Sequence, residues 1–135
     1  MKLVPFTVLI LVLATGAASG GGASAVQQLK AGQPLKLSLR ETAVSPDERL
    51  SVTFVKVVED SRCPEGANCI WAGNVKVRLR LRDGGRRTER EVNSNLEPTS
   101  LELGGLEIAF ADLLPYPKVG QEIDPAAYEL KLFVR

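Results

Sequence analysis

The sequence predicts an all-β domain, an antiparallel two-layer β-sandwich of about seven short strands, with a small β-barrel as the alternative. Apolar and polar residues alternate with a period of two in one segment after another, as on half-buried strands. Turn-forming residues separate these segments and leave no room for parallel crossovers, which need a dozen or more residues. After the first 25 residues, no stretch shows the apolar period of an amphipathic helix.

The seven strands are predicted at 34–40, 48–60, 74–82, 86–92, 100–103, 106–114 and 128–135. The third is the clearest, because the odd-numbered residues from Val75 to Leu81 are apolar and those between them are basic. In the second, the apolar parity shifts after Phe54, which indicates either burial on both faces or a β-bulge. Gly84-Gly85 and Gly104-Gly105 supply the positive φ of hairpin turns, and the polar fourth segment is predicted to be an edge strand.

The first 25 residues are typical of a secretory signal peptide, with Lys2, an apolar run over 3–14 and a small-residue cleavage site at Ala23-Ser24-Ala25. The 12-residue run is shorter than the roughly 20 residues that a membrane-spanning helix needs. We therefore expect an exported protein, periplasmic or secreted, with a single domain over 26–135 and no stable membrane span after cleavage. An earlier cleavage site or an uncleaved anchor is the alternative, and residues 26–33 are predicted to form a loose lead-in.

Both cysteines of the chain lie in the segment 60–74. In an exported protein, Cys63 and Cys69 are expected to form a disulfide, because the compartment outside the inner membrane is oxidising. The five residues between them are mostly turn formers. A redox-active pair is the alternative, although it usually has a Cys-x-x-Cys spacing at the start of a helix.

The alternation of the third strand, extended backwards, places Trp71 and Cys69 on its inward face. The sequence thus predicts that the indole is buried under a loop held by the disulfide. A bulge at Gly73 would reverse this and expose Trp71 as a ligand platform. Asp60 is expected to cap backbone N–H groups, and Arg62 to pair with it or to donate to carbonyl groups.

The segment "EDSRCPEGANCIWAGNVKVRL" resembles the signature of a group of small exported bacterial β proteins. The shared motif is Asp-Ser-Arg-Cys-Pro, a four-residue spacer, and Cys-x-Trp-x-Gly before an alternating strand. The matching positions here are Asp60, Ser61, Arg62, Cys63, Pro64, Cys69, Trp71 and Gly73. The resemblance covers about 20 residues, implies export and an all-β domain, and transfers no catalytic residue.

The residue types present exclude several chemistries. The chain has no histidine, which removes Ser-His-Asp and Cys-His catalysis and imidazole metal sites. It has no phosphate-binding glycine motif and no calcium-loop pattern. No spacing pairs two carboxylates for acid–base work. We expect no cofactor, no metal site and no enzymatic activity.

Basic residues are concentrated in one part of the chain. From Lys76 to Arg90 there are seven basic and two acidic residues, although residues 26–135 carry 16 of each. The candidate binding face consists of Arg78, Arg80, Arg82, Arg86 and Arg87, extended by Lys76 and Arg90. The alternative is that Glu102 and Glu107 pair with these arginines across the sheet. Nucleic acid is not expected, since no aromatic residues are interleaved with the basic ones.

These observations predict an exported, non-catalytic binding or accessory module of the bacterial cell envelope. Its partner would be an envelope protein or an anionic polymer. A second hypothesis is a protease inhibitor that presents the loop closed by Cys63 and Cys69, since a preorganised loop loses little entropy on binding. A carboxylate-based hydrolase is a third.

Overall fold

The computed structural model describes residues 26–135, which form nine strands and one 3-10 turn. The strands are β1 Gln27–Gln28, β2 Gln33–Ser38, β3 Thr42–Val44, β4 Leu50–Asp60, β5 Val75–Asp83, β6 Arg86–Asn93, β7 Ser100–Leu103, β8 Leu106–Leu114 and β9 Glu129–Val134, and the turn is Pro125–Ala127. All seven predicted strands are present. Across the described range, no helix has the length and apolar character needed to cross a bilayer. The predicted signal peptide and its cleavage site lie outside the described residues.

The strands form two sheets that pack face to face. The five-stranded sheet has the order β1-β3-β4-β5-β6, and the four-stranded sheet has the order β2-β9-β8-β7. Each sheet ends in edge strands, so the predicted sandwich is confirmed and the closed barrel is wrong. The predicted edge strand is β6, which ends the larger sheet. All neighbours pair antiparallel except β1 and β3, which are parallel.

The core consists of apolar side chains that the two sheets turn towards each other. Fully buried members include Val52, Phe54, Val77, Leu79, Ile108, Leu130 and Leu132. Each such side chain contributes roughly 1.5–3 kcal/mol by its removal from water. The inward parity predicted for β5 is confirmed. In β4 the register shifts after Phe54 and again after Val57, so of the two alternatives predicted for this strand the bulge is the one observed.

The N-terminal part of the domain differs from the prediction. Residues 26–33 are not a loose lead-in, because β1 pairs with β3 and β2 begins at Gln33. Leu29 is buried in the core, and its N–H donates to the Val44 carbonyl at 2.9 Å. The two additional strands have two and three residues, which is too short to show an alternating pattern.

Candidate functional site

The connection between β4 and β5, residues 61–74, is the disulfide loop. Cys63 and Cys69 are bonded, with their Cα atoms 5.9 Å apart, so the predicted disulfide is confirmed. Between them the chain turns tightly: the Ala67 N–H donates to the Pro64 carbonyl at 3.1 Å, and Gly66 has φ of 91°. Glycine adopts this left-handed conformation without the steric cost of a Cβ.

Arg62 holds the base of the disulfide loop. Its guanidinium donates to both carboxylate oxygens of Asp60, from Nε at 2.8 Å and from Nη2 at 2.7 Å. It also donates to the carbonyl groups of Leu113 and Pro115 at the end of β8. Asp60 in turn accepts from the backbone N–H of Arg62 at 3.4 Å. Both roles predicted for Arg62, and the backbone cap predicted for Asp60, are therefore present.

The Asp60–Arg62 pair is largely removed from solvent, with side-chain exposures of 11% and 14%. Burial opposes ionisation of Asp60, but the hydrogen bonds and positive charge of Arg62 outweigh it, so the pKa of Asp60 lies below its ordinary value. The Tyr128 hydroxyl donates to Asp60 at 3.1 Å. Burial and the neighbouring carboxylate raise the pKa of Tyr128. The pair is thus ionised at neutral pH and its acceptors are satisfied.

A second set of contacts joins the disulfide loop to the connection between β8 and β9. The Glu65 N–H donates to the Pro117 carbonyl at 2.9 Å, and the Glu65 carbonyl accepts from the Val119 N–H at 3.2 Å. The Arg62 guanidinium also lies over the Tyr116 ring, 5.2 Å from its centroid. Tyr116 donates to Asp112 at 2.8 Å, a bond that raises the pKa of its hydroxyl. The loop is therefore held on two sides.

The return of the disulfide loop into β5 explains why the prediction for Trp71 is wrong. A Cβ at Gly73 would lie 1.9 Å from the Ser61 carbonyl oxygen, so the backbone at Gly73 packs directly on the start of the loop. Asn74 is buried, and its side chain donates to Asn93 at 3.0 Å. Because β5 begins only at Val75, the strand parity does not extend to residue 71.

Trp71 is 64% exposed and the preceding Ile70 is 96% exposed. Cys69 is half-buried and Cys63 exposed, so neither is part of the sandwich core. The prediction of a buried indole is therefore wrong. The alternative holds instead, because Trp71 is a surface residue beside a crosslinked loop. Its apolar face is available to a ligand.

Three connections meet at this end of the sandwich: residues 61–74, 94–99 and 115–124, here called the loop end. Asn95 links the first two, since its backbone N–H donates to the Asn74 side chain at 3.1 Å and its own side chain donates to the Gly73 carbonyl. The exposed large apolar residues of the loop end are Ile70, Trp71, Leu96, Tyr116 and Val119. No single stretch of sequence indicates this set of exposed residues, because its members come from three separate segments.

The predicted basic face is divided by the structure. Arg78, Arg80 and Arg82 project from the outer face of β5, and Arg87 lies beside Arg82 on β6. Arg86 and Arg90 take the parity of the buried Val92, so they belong to the opposite face of the strand.

The acidic partners of the basic face also differ from the prediction. Glu102 and Glu107 face each other in the other sheet, and Glu107 pairs with Arg135 at 3.3 Å. The arginines of β5 pair instead with the adjacent strand: Arg78 with Glu91 at 2.9 Å and Arg80 with Glu89 at 3.0 Å. The hydrogen bond from Arg78 lowers the pKa of Glu91, assisted by the charges of Arg78, Lys76 and Lys56.

The fold and its surface define a class of protein, a disulfide-containing β-sandwich with an anchored, partly apolar loop end. No protein-family model matches the chain, and no curated protein or solved structure matches it either.

Proposed function

We propose that this protein is an exported, non-catalytic binding module of the bacterial cell envelope that recognises a partner protein through its loop end. The observation that carries the proposal is the exposure of Ile70 and Trp71 on a crosslinked loop. A scattered surface apolar residue needs no explanation, but adjacent large ones on an ordered loop are typical of interaction sites. Tryptophan is also among the residues most often found at the energetic centre of protein interfaces.

The anchoring of the disulfide loop supports recognition of a ligand. Disulfide closure, the buried Asp60–Arg62 pair and the backbone bonds of Glu65 hold the loop in one shape before any partner arrives. Ordering a loop on binding costs free energy, so a preformed loop retains more of its contact energy as affinity. None of these anchoring contacts requires an indole at position 71.

The charge around the exposed apolar residues indicates the kind of partner. The loop end carries the exposed acids Glu65, Glu97, Glu122 and Asp124 and the exposed base Lys118. Arg62 adds little positive charge there, because Asp60 neutralises it. A partner segment that combines apolar and basic side chains would complement this surface.

The disulfide also supports export, because disulfides persist in oxidising compartments and are rare in the cytosol. Together with the signal-like residues 1–25, it supports a periplasmic or extracellular location.

The proposal is tested by photocrosslinking in the native cells. A photoreactive amino acid replaces Ile70, which is 96% exposed beside Trp71, in one variant and Phe133, which is 37% exposed on β9, in the control variant. We expect one protein adduct that forms from position 70, is absent from position 133, and is lost when Cys63→Ser and Cys69→Ser remove the crosslink. The same adducts from both positions, or none from position 70, would refute recognition through the loop end.

A binding measurement with the captured partner separates recognition from folding. Because Trp71 is exposed, Trp71→Ala should leave the free energy of unfolding within about 0.5 kcal/mol of the parent. The same substitution should weaken partner binding by at least tenfold, as expected of an interface centre. A variant that binds as tightly as the parent would show that Trp71 takes no part.

The protease-inhibitor hypothesis has less support from the geometry of the loop. Extended peptides that bind along a protein surface commonly form backbone hydrogen bonds with it. Here the N–H and carbonyl of Glu65 are both bonded to residues 117–119, and the loop turns at Gly66. The exposed side chains of the loop are therefore a better basis for recognition than its backbone.

A further inference from the structure

The outer face of the five-stranded sheet carries a groove whose lining residues are all outside the loop end. Two adjoining depressions, of about 240 and 340 Å³, both include Thr42, Thr53 and Arg80 in their walls. We call them together the hydroxyl groove. Its remaining cationic side chains are Arg40, Lys56, Arg82 and Arg87, and no carboxylate lines either depression.

The floor of the groove offers hydrogen-bond donors as well as charge. The hydroxyl groups of Thr42 and Thr53 lie 2.7 Å apart and share one hydrogen bond, in which either can be the donor. A hydroxyl that accepts this bond keeps its own hydrogen for a ligand. A cation with a neutral donor beside it is the combination that binds phosphate, sulfate and carboxylate oxygens.

Arg82 and Arg87 stand directly opposite each other in the register of β5 and β6. Like charges in this position repel and weaken a sheet. Among residues 26–135, two other pairs of basic residues are in register, Lys56 with Arg78 and Lys36 with Lys131. Each of those has a carboxylate nearby: Arg78 pairs with Glu91 at 2.9 Å, and Lys131 with Asp112 at 3.8 Å.

The Arg82–Arg87 pair differs from those two. Arg82 donates to neutral groups, the Glu48 carbonyl at 2.9 Å and the Ser51 hydroxyl at 3.3 Å. Within residues 26–135, neither Arg82 nor Arg87 has a carboxylate within 4.0 Å. An anion bound in the depression that both side chains line would reduce their repulsion.

We infer that the hydroxyl groove binds a linear polyanion, a polymer that carries phosphate, sulfate or carboxylate groups at regular intervals. The row from Arg82 to Lys76 along β5 is about 20 Å long, at roughly 3.4 Å per residue. Its alternate side chains present cations about 7 Å apart. Arg82 has no carboxylate partner among the described residues, whereas Arg80, Arg78 and Lys76 pair with Glu89, Glu91 and Glu59. Successive anionic groups of one polymer would bind first at Arg82 and then displace these carboxylates along the row. The pairing of Arg80 with Glu89 is exposed on both sides and therefore weak enough to be exchanged.

The test uses protein recovered from cells that express the full chain, with fluorescently labelled polyphosphate, dextran sulfate and polygalacturonate as probes. Arg82→Gln/Arg87→Gln should weaken binding of at least one polymer by tenfold or more. The matched control, Lys36→Gln/Lys131→Gln, removes the same charge from the outer face of the other sheet and should change binding by less than twofold. Equal losses in both variants would mean that net charge alone is responsible, which overturns the groove.

Further arms exclude folding effects and other ligands. Arg87→Gln alone, at a side chain with no ion pair in the described residues, should still weaken binding at least threefold. Binding to anionic lipid vesicles without binding to a soluble polymer would overturn the proposal. The proposal would also be overturned if inorganic phosphate displaced the labelled polymer as effectively, per phosphate group, as polyphosphate does. Trp71→Ala should leave polymer binding unchanged. Polymer binding, measured in the arginine variants, and partner binding, measured in Trp71→Ala, therefore test the two proposals separately.

Discussion

Arg62 at the loop end and Arg87 on the outer sheet face are the same residue type in opposite surroundings. Arg62 is mostly buried and donates to a carboxylate and two carbonyl groups, which leaves it little capacity for a ligand. Arg87 is exposed, faces another arginine, and has no ion pair among residues 26–135. The acceptors around an arginine, and not the local abundance of basic residues, decide whether it supports the fold or remains open to a partner.

The largest expected effect is the loss of the buried guanidinium. Arg62→Met leaves Asp60 without its cation, and breaking a buried pair from one side typically costs 3–5 kcal/mol. We expect urea unfolding to show a loss of about that size. Arg87→Met, the matched substitution on the outer face, should stay within about 0.5 kcal/mol of the parent. Similar losses at the two positions would remove the distinction between them.

The second effect concerns the close backbone contact at Gly73, two residues after Trp71. Gly73→Ala places a Cβ 1.9 Å from the Ser61 carbonyl oxygen, so the chain must shift there. Overpacking of this kind costs about 1–3 kcal/mol. Gly85→Ala is the control, because a Cβ at Gly85 meets nothing within 4 Å. Thermal unfolding of both variants measures the difference, and a Gly73→Ala protein as stable as the control would contradict the described packing.

The smallest effect is a pH dependence that belongs to the loop end. The pKa of Asp60 is lowered in the folded protein, so its contribution to stability is complete above the ordinary carboxyl pKa of about 3.9. It is lost as the pH falls from there through the folded-state pKa. The stability difference between the parent and Asp60→Asn should therefore shrink below about pH 4. A difference that stays constant from pH 7 to pH 3 would show that Asp60 is not held ionised by Arg62.

The strands could be predicted well from the sequence, because apolar and polar residues alternate where one face of a strand is buried and the other is exposed. The row from Val75 to Leu81 is the clearest example, and it is buried as predicted. The same rule failed at Trp71, because parity holds only while the backbone stays in the ladder, and β5 begins at Val75. It also missed the short strands β1 and β3, which are defined by their partners.

Parts of the candidate site depend on contacts between residues that are far apart in the sequence. The acids that pair with Arg78 and Arg80 come from β6, whereas Glu102 and Glu107 belong to the other sheet. Tyr116 and Tyr128 reach the base of the disulfide loop from the far end of the chain. The Asn93-Ser94-Asn95 segment, rich in amide groups beside a strand end, is the one local indication of the network around Asn74.

The Asp60–Arg62 pair also has a mechanical consequence. Asp60 is the last residue of β4, in the five-stranded layer. Arg62 donates to Leu113, which lies in β8 of the four-stranded layer. Asp60 accepts from Tyr128, which directly precedes β9 of that same layer. A pull on the tip of the crosslinked loop is therefore distributed into both layers at once. The contacts of this one pair therefore couple the position of the loop to both layers of the sandwich.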